Sequence, residues 1–119
     1  ILADYIETTA SPEDYNAHRL TLGVPDSALD FETATTFPAN ANMDLLNGVD
    51  FKKGCFVGQE VVSRMHRKTV VRKRMQSFRG TATVIPGATL LCGLVNVGTV
   101  LSMRGLSGMA MVRADRLPP

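Results

Sequence analysis

The sequence has few of the residues that would define a secreted, metal-binding or membrane-spanning protein. Tryptophan is absent, and only two cysteines and two histidines occur among 119 residues. Cys55 and Cys92 are too few for a disulfide framework, which favours a reducing compartment. His18 and His66 have no cysteine or histidine at a short ligand spacing, so we expect no zinc site and no other metal site.

Long apolar runs are also missing. No segment approaches the ~18 apolar residues that cross a bilayer, and the first residues lack the basic region and apolar core of a signal peptide. With 45% hydrophobic and 20% charged residues, the composition is that of a soluble globular chain with a core. We therefore predict a cytoplasmic protein with no membrane partner. Because the chain does not begin with Met, we expect it to be part of a longer protein.

Charge is distributed unevenly along the chain, although the net charge is only +2. Residues 1–50 contain nine acidic residues and a single basic one, Arg19. Residues 51–79 contain nine basic residues and a single acidic one, Glu60. The basic segment could attract an anionic ligand, a polyanion or the acidic half of the same chain.

The segment Lys52–Glu60 combines a thiol, two lysines, two glycines and an amide–acid pair. After it, apolar residues recur at helical spacing, and Glu60 and Arg64 stand four residues apart. We therefore place Gly58 near the start of a helix, with Cys55 in the loop before it. Backbone N–H groups of that helix and the two lysines would raise the thiolate fraction of Cys55. Alternatively, Cys55 is buried and packs as a small apolar residue.

A first helix is predicted from about Pro12 to Leu22, because Ser11 suits an N-cap and Gly23 suits a helix end. We expect this helix to turn Tyr15, Leu20 and Leu22 partly inward. Residues 24–50 lack periodicity and are predicted to form a long irregular segment, a feature typical of functional loops. Its expected anchors are Phe31, Phe37, Met43, Leu45 and Leu46.

The last fifty residues are predicted to form a small antiparallel sheet or barrel, because short β-type runs alternate with glycine-containing turns. The charges of the first strand are expected to face solvent, and Cys92 is expected in the core. The predicted strands are Thr69–Gly80, Ala82–Ile85, Ala88–Cys92, Leu94–Met103 and Gly108–Arg113.

The order of these motifs resembles the YgfZ family, a branch of the folate-binding superfamily that includes the glycine-cleavage aminomethyltransferase, or T-protein. The Lys-Gly-Cys-aromatic-x-Gly-Gln-Glu signature is specific to that branch and is intact here. The resemblance covers about residues 10–80 well and the tail more loosely. It depends on the segment Arg19–Pro25, Asp30, Phe37-Pro38, Lys53–Glu60 and Arg64.

The resemblance implies an α+β protein. Residues 1–69 would be the C-terminal part of a T-protein-like folate-binding domain, and residues 70–119 a small β-barrel-like domain. It also implies tetrahydrofolate as cofactor, iron–sulfur client enzymes as partners, and a role in iron–sulfur cluster assembly or repair that affects tRNA modification. Cys55 would be the functional thiol, and the motif or folate-site residues would be Lys53, Gly54, Gly58, Gln59, Glu60, Arg64 and Arg19.

Two departures from the aminomethyltransferase pattern argue against aminomethyl transfer. Thr21 stands where those enzymes carry a folate-contacting Glu, and their catalytic Asp lies in an N-terminal half that this chain lacks. The leading hypothesis is therefore a folate-binding iron–sulfur maintenance factor in which Cys55 contacts a cluster, a client thiol or a one-carbon unit on folate. The alternatives are an aminomethyltransferase-like enzyme and an RNA-binding module that contacts tRNA through the basic segment 64–79.

Overall fold

A computed structural model describes residues 10–68 and 70–118 of the chain. The predicted domain boundary at residue 69 and the first nine residues lie outside this part. Two helices precede four strands in the sequence, and none of the described helices is long and apolar enough to cross a membrane. The elements are α1 (Pro12–Thr21), α2 (Gln59–Lys68), β1 (Lys73–Arg79), β2 (Thr89–Cys92), β3 (Val95–Arg104) and β4 (Ser107–Arg113), followed by a short 3-10 turn at Ala114–Arg116.

The four strands form one sheet in the order β1-β4-β3-β2, and every neighbouring pair is antiparallel. The predicted small antiparallel sheet is therefore confirmed, and within the described residues it is open rather than closed into a barrel. The β3–β4 turn lies at Gly105-Leu106, between the predicted strands Leu94–Met103 and Gly108–Arg113, and Gly105 adopts a φ of +57° that suits glycine.

Two predictions about the sheet are wrong. Residues 82–85 form no strand but a bend and coil that lead into the Pro86-Gly87 turn. Cys92 is exposed rather than buried, because it is the last residue of β2. It pairs with Val95 across a two-residue turn, where a side chain has little of the sheet to pack against.

Helix α1 begins as predicted, with Ser11 as its N-cap. The Asp14 N–H donates to the Ser11 hydroxyl, and the Ser11 N–H donates to the Asp14 carboxylate at 2.8 Å, which completes a capping box. The Asp14 carboxylate accepts hydrogen bonds from the Ser11 backbone N–H and from the Ser11 hydroxyl, and these two bonds hold the pKa of Asp14 below its usual value. The inward face differs from the prediction, because Tyr15 and Leu22 are each 61% exposed. Only the C-terminal end of the helix is buried, through Arg19 and Leu20.

The core of the molecule lies where α1 meets the sheet. Leu20 of α1 is fully buried against Met75 of β1 and Met109 of β4. Ala41 of the irregular segment completes this cluster, and partly buried side chains from the irregular segment and the sheet pack around it. Helix α1 and part of the irregular segment thus share one core with the sheet.

A buried ion pair joins α1 to that core. The Arg19 guanidinium lies 2.6 Å from the Asp30 carboxylate, and the two side chains are 3% and 0% exposed. Asp30 also accepts hydrogen bonds from the Asp26 backbone N–H, at 2.8 Å, and from the Ser102 hydroxyl of β3. All the charge on this pair is therefore balanced by neighbours within the fold, as burial requires.

The irregular segment is held by different residues from the expected ones. Phe37, Met43, Leu45 and Leu46 are exposed, and only Phe31 packs against the core. Buried polar contacts hold it instead, because Asn42 donates to the backbone carbonyl of β1 residue Met75.

A second ion pair binds the same segment to β1. Arg74 donates two hydrogen bonds to the Asp44 carboxylate, at 2.9 and 2.7 Å. The hydrogen bonds from Arg74 hold the pKa of Asp44 below its usual value, and they raise that of Arg74 in turn. The predicted solvent-facing role is therefore wrong for Arg74, because its guanidinium is bound to Asp44 within the fold.

Candidate functional site: the Cys55 loop and helix α2

The Cys55 loop, residues 52–58, ends where α2 begins. Cys55 is exposed and lies in coil, and α2 starts at Gln59 directly after Gly58. Gly58 has a φ of +83°, in the left-handed region that glycine adopts with little cost. The predicted helix start and loop position are confirmed, and the alternative of a buried Cys55 is wrong.

Contacts around Phe56 tie the loop to the helix. The Phe56 backbone N–H donates to the Gln59 side-chain oxygen at 3.3 Å, and the Gln59 N–H donates to the Phe56 carbonyl at 3.1 Å. The ammonium of Lys53 lies 5.2 Å from the centre of the Phe56 ring, within the range of a cation–π contact. Phe56 is half-buried, whereas Cys55 on one side and Val57 on the other are exposed.

The charges next to the thiol are positive and accessible to solvent. Lys52 and Lys53 are both exposed, and Asp50 accepts a hydrogen bond from the Lys52 backbone N–H at 2.8 Å rather than from its ammonium. One turn into α2, Glu60 and Arg64 form an exposed ion pair of 3.3 Å, as their spacing predicts. A negatively charged group that approaches Cys55 would meet two cations first.

The structure brings six of the seven predicted companions of Cys55 together. Lys53, Gly54, Gly58, Gln59, Glu60 and Arg64 follow one another along the loop and the first turns of α2. Three of them line a shallow open groove on the surface of α2, together with Ser63 and Arg67. Arg19 does not join them, because its guanidinium is buried and bonded to Asp30, to the Val24 carbonyl and to Asn16.

A cavity of about 200 Å³ lies between α2, the irregular segment and the residues before β1, and the sequence did not indicate it. The rings of Phe51 and His66 stack on one of its walls, with centroids 3.8 Å apart and planes inclined by 15°. Asp44 and Arg74 supply its polar lining. No local pattern links residues thirty positions apart, so this cavity could be found only from the folded chain.

The predicted folate-site residues do not form an enclosed site within the described part of the chain. The cavity contains none of them, and the groove on α2 is open and has no aromatic wall. Its one carboxylate, Glu60, is already paired with Arg64. These side chains do not by themselves fit a pterin, which binds in a concave, largely apolar site. Tetrahydrofolate binding therefore stays a prediction.

As a metal ligand, Cys55 stands alone. Among residues 10–68 and 70–118, no three His, Cys, Asp or Glu side chains are grouped so that they could hold a metal ion. An exposed thiolate can nevertheless supply one bond to a metal centre whose other ligands come from another molecule.

Comparison with known proteins identifies the C-terminal part of the chain. Residues 72–118 match the family model described as the CAF17 C-terminal β-barrel domain. This match supports a coarser assignment than the predicted YgfZ family, which is not specifically confirmed.

Three relatives are named as one iron–sulfur cluster assembly factor or its homologue. A Homo sapiens protein named "Iron-sulfur cluster assembly factor IBA57, mitochondrial" is 34% identical over 110 residues, which are 87% of this chain and 31% of the relative. Homologues of that factor from Mycosarcoma maydis and Neurospora crassa are 48% identical over 68 residues and 41% identical over 81 residues. Those alignments cover 57% and 64% of this chain, and 17% and 18% of the relatives. The chain thus spans less than a third of the length of these relatives.

The names of the relatives correct one prediction. All three are labelled mitochondrial, which contradicts the cytoplasmic location predicted from composition. A low cysteine content favours a reducing compartment but does not tell the cytoplasm from the interior of an organelle. Residues 72–118 are similar to the CAF17 C-terminal β-barrel domain, and over most of its length the chain is similar to part of mitochondrial iron–sulfur cluster assembly factors.

Proposed function

We propose that this chain is the part of an iron–sulfur cluster assembly factor that offers a single thiolate, Cys55, to a cluster held by another protein. The observation that carries the proposal is the exposure of Cys55 in a positively charged loop whose sequence motif is intact. The names of the relatives support the cluster as the cargo. Because the relatives are named mitochondrial, we place the protein in mitochondria.

The local charge suits such a cargo. A thiol binds iron as the thiolate, so its proton leaves to solvent when the bond forms. An iron–sulfur cluster with thiolate ligands carries net negative charge, and Lys52 and Lys53 flank the place where it would arrive. Both ammonium groups would attract the anionic cluster towards the loop that carries Cys55.

The geometry also favours a shared cluster over a resident one. Fe–S clusters are held by four cysteine ligands as a rule, whereas no group of three or more potential metal ligands, with or without Cys55, occurs in the described residues. The remaining ligands would come from the partner that carries the cluster. The sequence left three possible targets for Cys55: a cluster, a client thiol or a one-carbon unit on folate. Of these, a cluster has the strongest support.

Cys92 provides a matched control for Cys55, because both thiols are exposed and free. The protein, its Cys55→Ala variant and its Cys92→Ala variant are expressed in cells depleted of their own factor of this type. The activity of a [4Fe–4S] enzyme is then measured. We expect Cys55→Ala to abolish rescue and Cys92→Ala to retain it. Equal rescue by both variants, at equal protein levels, would contradict the proposal.

Three further properties rest on the family resemblance alone, and we propose them as secondary: tetrahydrofolate binding, the predicted domain division and an effect on tRNA modification. Titration of this chain with tetrahydrofolate tests the binding.

Direct contact with tRNA has weaker support. Of the cations in the basic segment 64–79, Arg64 and Arg74 are bound in ion pairs. The exposed cations of this segment that lie outside the ion pairs of the described residues are Arg67, Arg72, Lys73 and Arg79.

A further inference from the structure

The backbone of Phe56, the residue after Cys55, is bonded to Gln59 through both of its polar groups. The Phe56 N–H belongs to the peptide bond that joins Phe56 to Cys55, and it donates to the Gln59 side-chain oxygen at 3.3 Å. The Phe56 carbonyl accepts from the Gln59 N–H at 3.1 Å. Gln59 therefore holds the peptide unit next to the thiol with its side chain and the following one with its backbone.

These two bonds close a tight turn over residues 56–59. Gly58 stands at the third position of the turn with a φ of +83°, in the range that a type II turn requires there. Val57, at the second position, is fully exposed. A capping box uses a Gln side chain in the same way, because it accepts from an N–H three residues earlier. Phe56 and Gln59 are both half-buried, so the side-chain bond is partly shielded from water.

A further contact brackets Cys55 from the other side. The ammonium of Lys53 lies 5.2 Å from the centre of the Phe56 ring, and this contact spans Gly54 and Cys55. The loop therefore bends between Lys53 and Phe56, with the exposed thiol inside the bend. Lys53 acts on the ring of Phe56, whereas Gln59 acts on the Cys55–Phe56 peptide bond itself. Gln59 is thus the more direct hold on the thiol.

We propose that Gln59 is a positioning residue for Cys55, which it orients by holding the Cys55–Phe56 peptide bond through the Phe56 N–H. Gln59 then acts through Phe56 and not by contact with a ligand, unlike the folate-site role that the family resemblance implies. This inference rests on the proposed function. A single thiolate that joins the ligands of another protein has to arrive in a defined direction, and hydrogen bonds behind a metal ligand commonly fix that direction.

Two substitutions separate the hydrogen bond of Gln59 from the shape of its side chain. Gln59→Met keeps nearly the same length but replaces the amide oxygen with a thioether, which is a weak acceptor. Gln59→Glu keeps an acceptor oxygen and adds a negative charge, which the start of a helix tolerates. The matched control is Gln76→Met, because Gln76 is the other glutamine of the chain and is exposed on β1.

The first measurement is the hydrogen exchange rate of the Phe56 amide, followed by NMR in the parent chain and the three variants. We expect Gln59→Met to raise this rate about fivefold, since an ordinary hydrogen bond shifts a local opening equilibrium by that order. Gln59→Glu and Gln76→Met should leave it unchanged. Circular dichroism and urea denaturation of each variant check that the fold is retained.

The second measurement is rescue of the [4Fe–4S] enzyme, in the same cells and at equal protein levels. We expect Gln59→Met to reduce rescue at least about tenfold, as the loss of a bond that orients a metal ligand commonly does. Gln59→Glu should rescue better than Gln59→Met, because it restores the bond, but less well than the parent, because its charge repels an anionic cluster. Gln76→Met should rescue fully.

The outcomes distinguish this inference from the proposed function. Full rescue by Gln59→Met overturns the positioning role, and if Cys55→Ala still abolishes rescue, the proposed function stands. Unchanged exchange of the Phe56 amide in Gln59→Met also overturns the positioning role, because the bond would then not hold the peptide. Equal loss of rescue in Gln59→Met and Gln59→Glu contradicts it as well, because restoring the acceptor would have no effect. Full rescue by Cys55→Ala overturns the proposed function, and the positioning role with it.

Discussion

The two helices have the same length, ten residues, but they belong to the fold in different ways. Helix α1 has a complete capping box, a fully buried leucine and a buried ion pair, and it packs on β1, β3 and β4. None of the described side chains of α2 is buried, and the ring of His66 in α2 stacks on Phe51, the residue that follows the irregular segment. The helix that follows the Cys55 loop and carries part of the predicted motif is thus the one least held by the core.

This difference separates a packed part of the molecule from a loosely packed one. Helix α1 and the sheet provide a stable body, and the Cys55 loop with α2 lies at its surface with few buried contacts. Regions with few buried contacts open at lower free energy than the core. In the proposed function the loop presents its thiol to another protein, and such freedom would favour that contact. Three predictions test the contrast between the two helices.

The largest expected effect is at the buried ion pair of α1. Asp30→Ala would leave the Arg19 guanidinium buried without its partner, and breaking a buried pair in this way costs about 3–5 kcal/mol. Urea denaturation followed by circular dichroism measures the loss in the free energy of unfolding. The double variant Arg19→Met/Asp30→Ala serves as control and should recover part of that loss, because no unpaired charge remains. A cost of Asp30→Ala below about 1 kcal/mol would show that α1 is not anchored as described.

An intermediate effect is expected at the ion pair that holds the irregular segment, because Asp44 and Arg74 are only partly exposed, at 14% and 21%. Hydrogen bonds from Arg74 lower the pKa of Asp44 from its ordinary value of 3.8. A lowered carboxyl pKa stabilises the fold above the unfolded value, and this stabilisation is lost as pH falls below 3.8 through the folded pKa. Asp44→Asn should therefore be less stable than the parent at pH 7, and the difference should shrink on acidification.

Unfolding curves of both proteins at pH 7 and pH 3 measure this difference. The ion pair of the C-terminal turn gives a comparison, because its side chains are more exposed than those of Asp44 and Arg74, at 28% for Arg113 and 33% for Asp115. Hydrogen bonds from Arg113 lower the pKa of Asp115 to about 2. Solvent screens that pair, so Asp115→Asn should change stability less than Asp44→Asn. A pH-independent deficit of Asp44→Asn would mean that shape, not charge, holds the irregular segment.

The elements that the sequence predicted correctly are those with local signals. Ser11 and Pro12 define the start of α1, and Gly58 defines the start of α2, because capping and positive φ depend on neighbouring residues. The Glu60–Arg64 pair follows from spacing alone. Exposure of Cys55 was the one property of the motif that spacing left open, since a short apolar neighbourhood suits both a buried and an exposed thiol.

What the sequence did not predict depends on contacts between distant residues. The burial of Arg19 requires Asp30 from the irregular segment and Ser102 from β3, so a residue expected at a ligand site proved to hold the core. Arg74 looked like a solvent-facing cation until Asp44 was placed beside it. Cys92 lay in an apolar run, but the hairpin turn put it at the edge of the sheet. In each case the partner decides whether the side chain is buried, and periodicity does not identify the partner.

The smallest expected effect is at the ion pair of α2. Glu60 and Arg64 are 87% and 68% exposed, so solvent screens their attraction, and Glu60→Gln should cost under about 0.5 kcal/mol. The same urea denaturation as for Asp30→Ala measures it. A cost above about 1 kcal/mol would show that α2 is anchored more firmly than its exposure indicates. If the cost is small, Glu60→Gln also separates function from folding, because a loss of iron–sulfur rescue by this variant would arise at the motif. A variant of Arg19 does not separate function from folding, because removing this side chain would leave Asp30 buried without its partner and would destabilise the core.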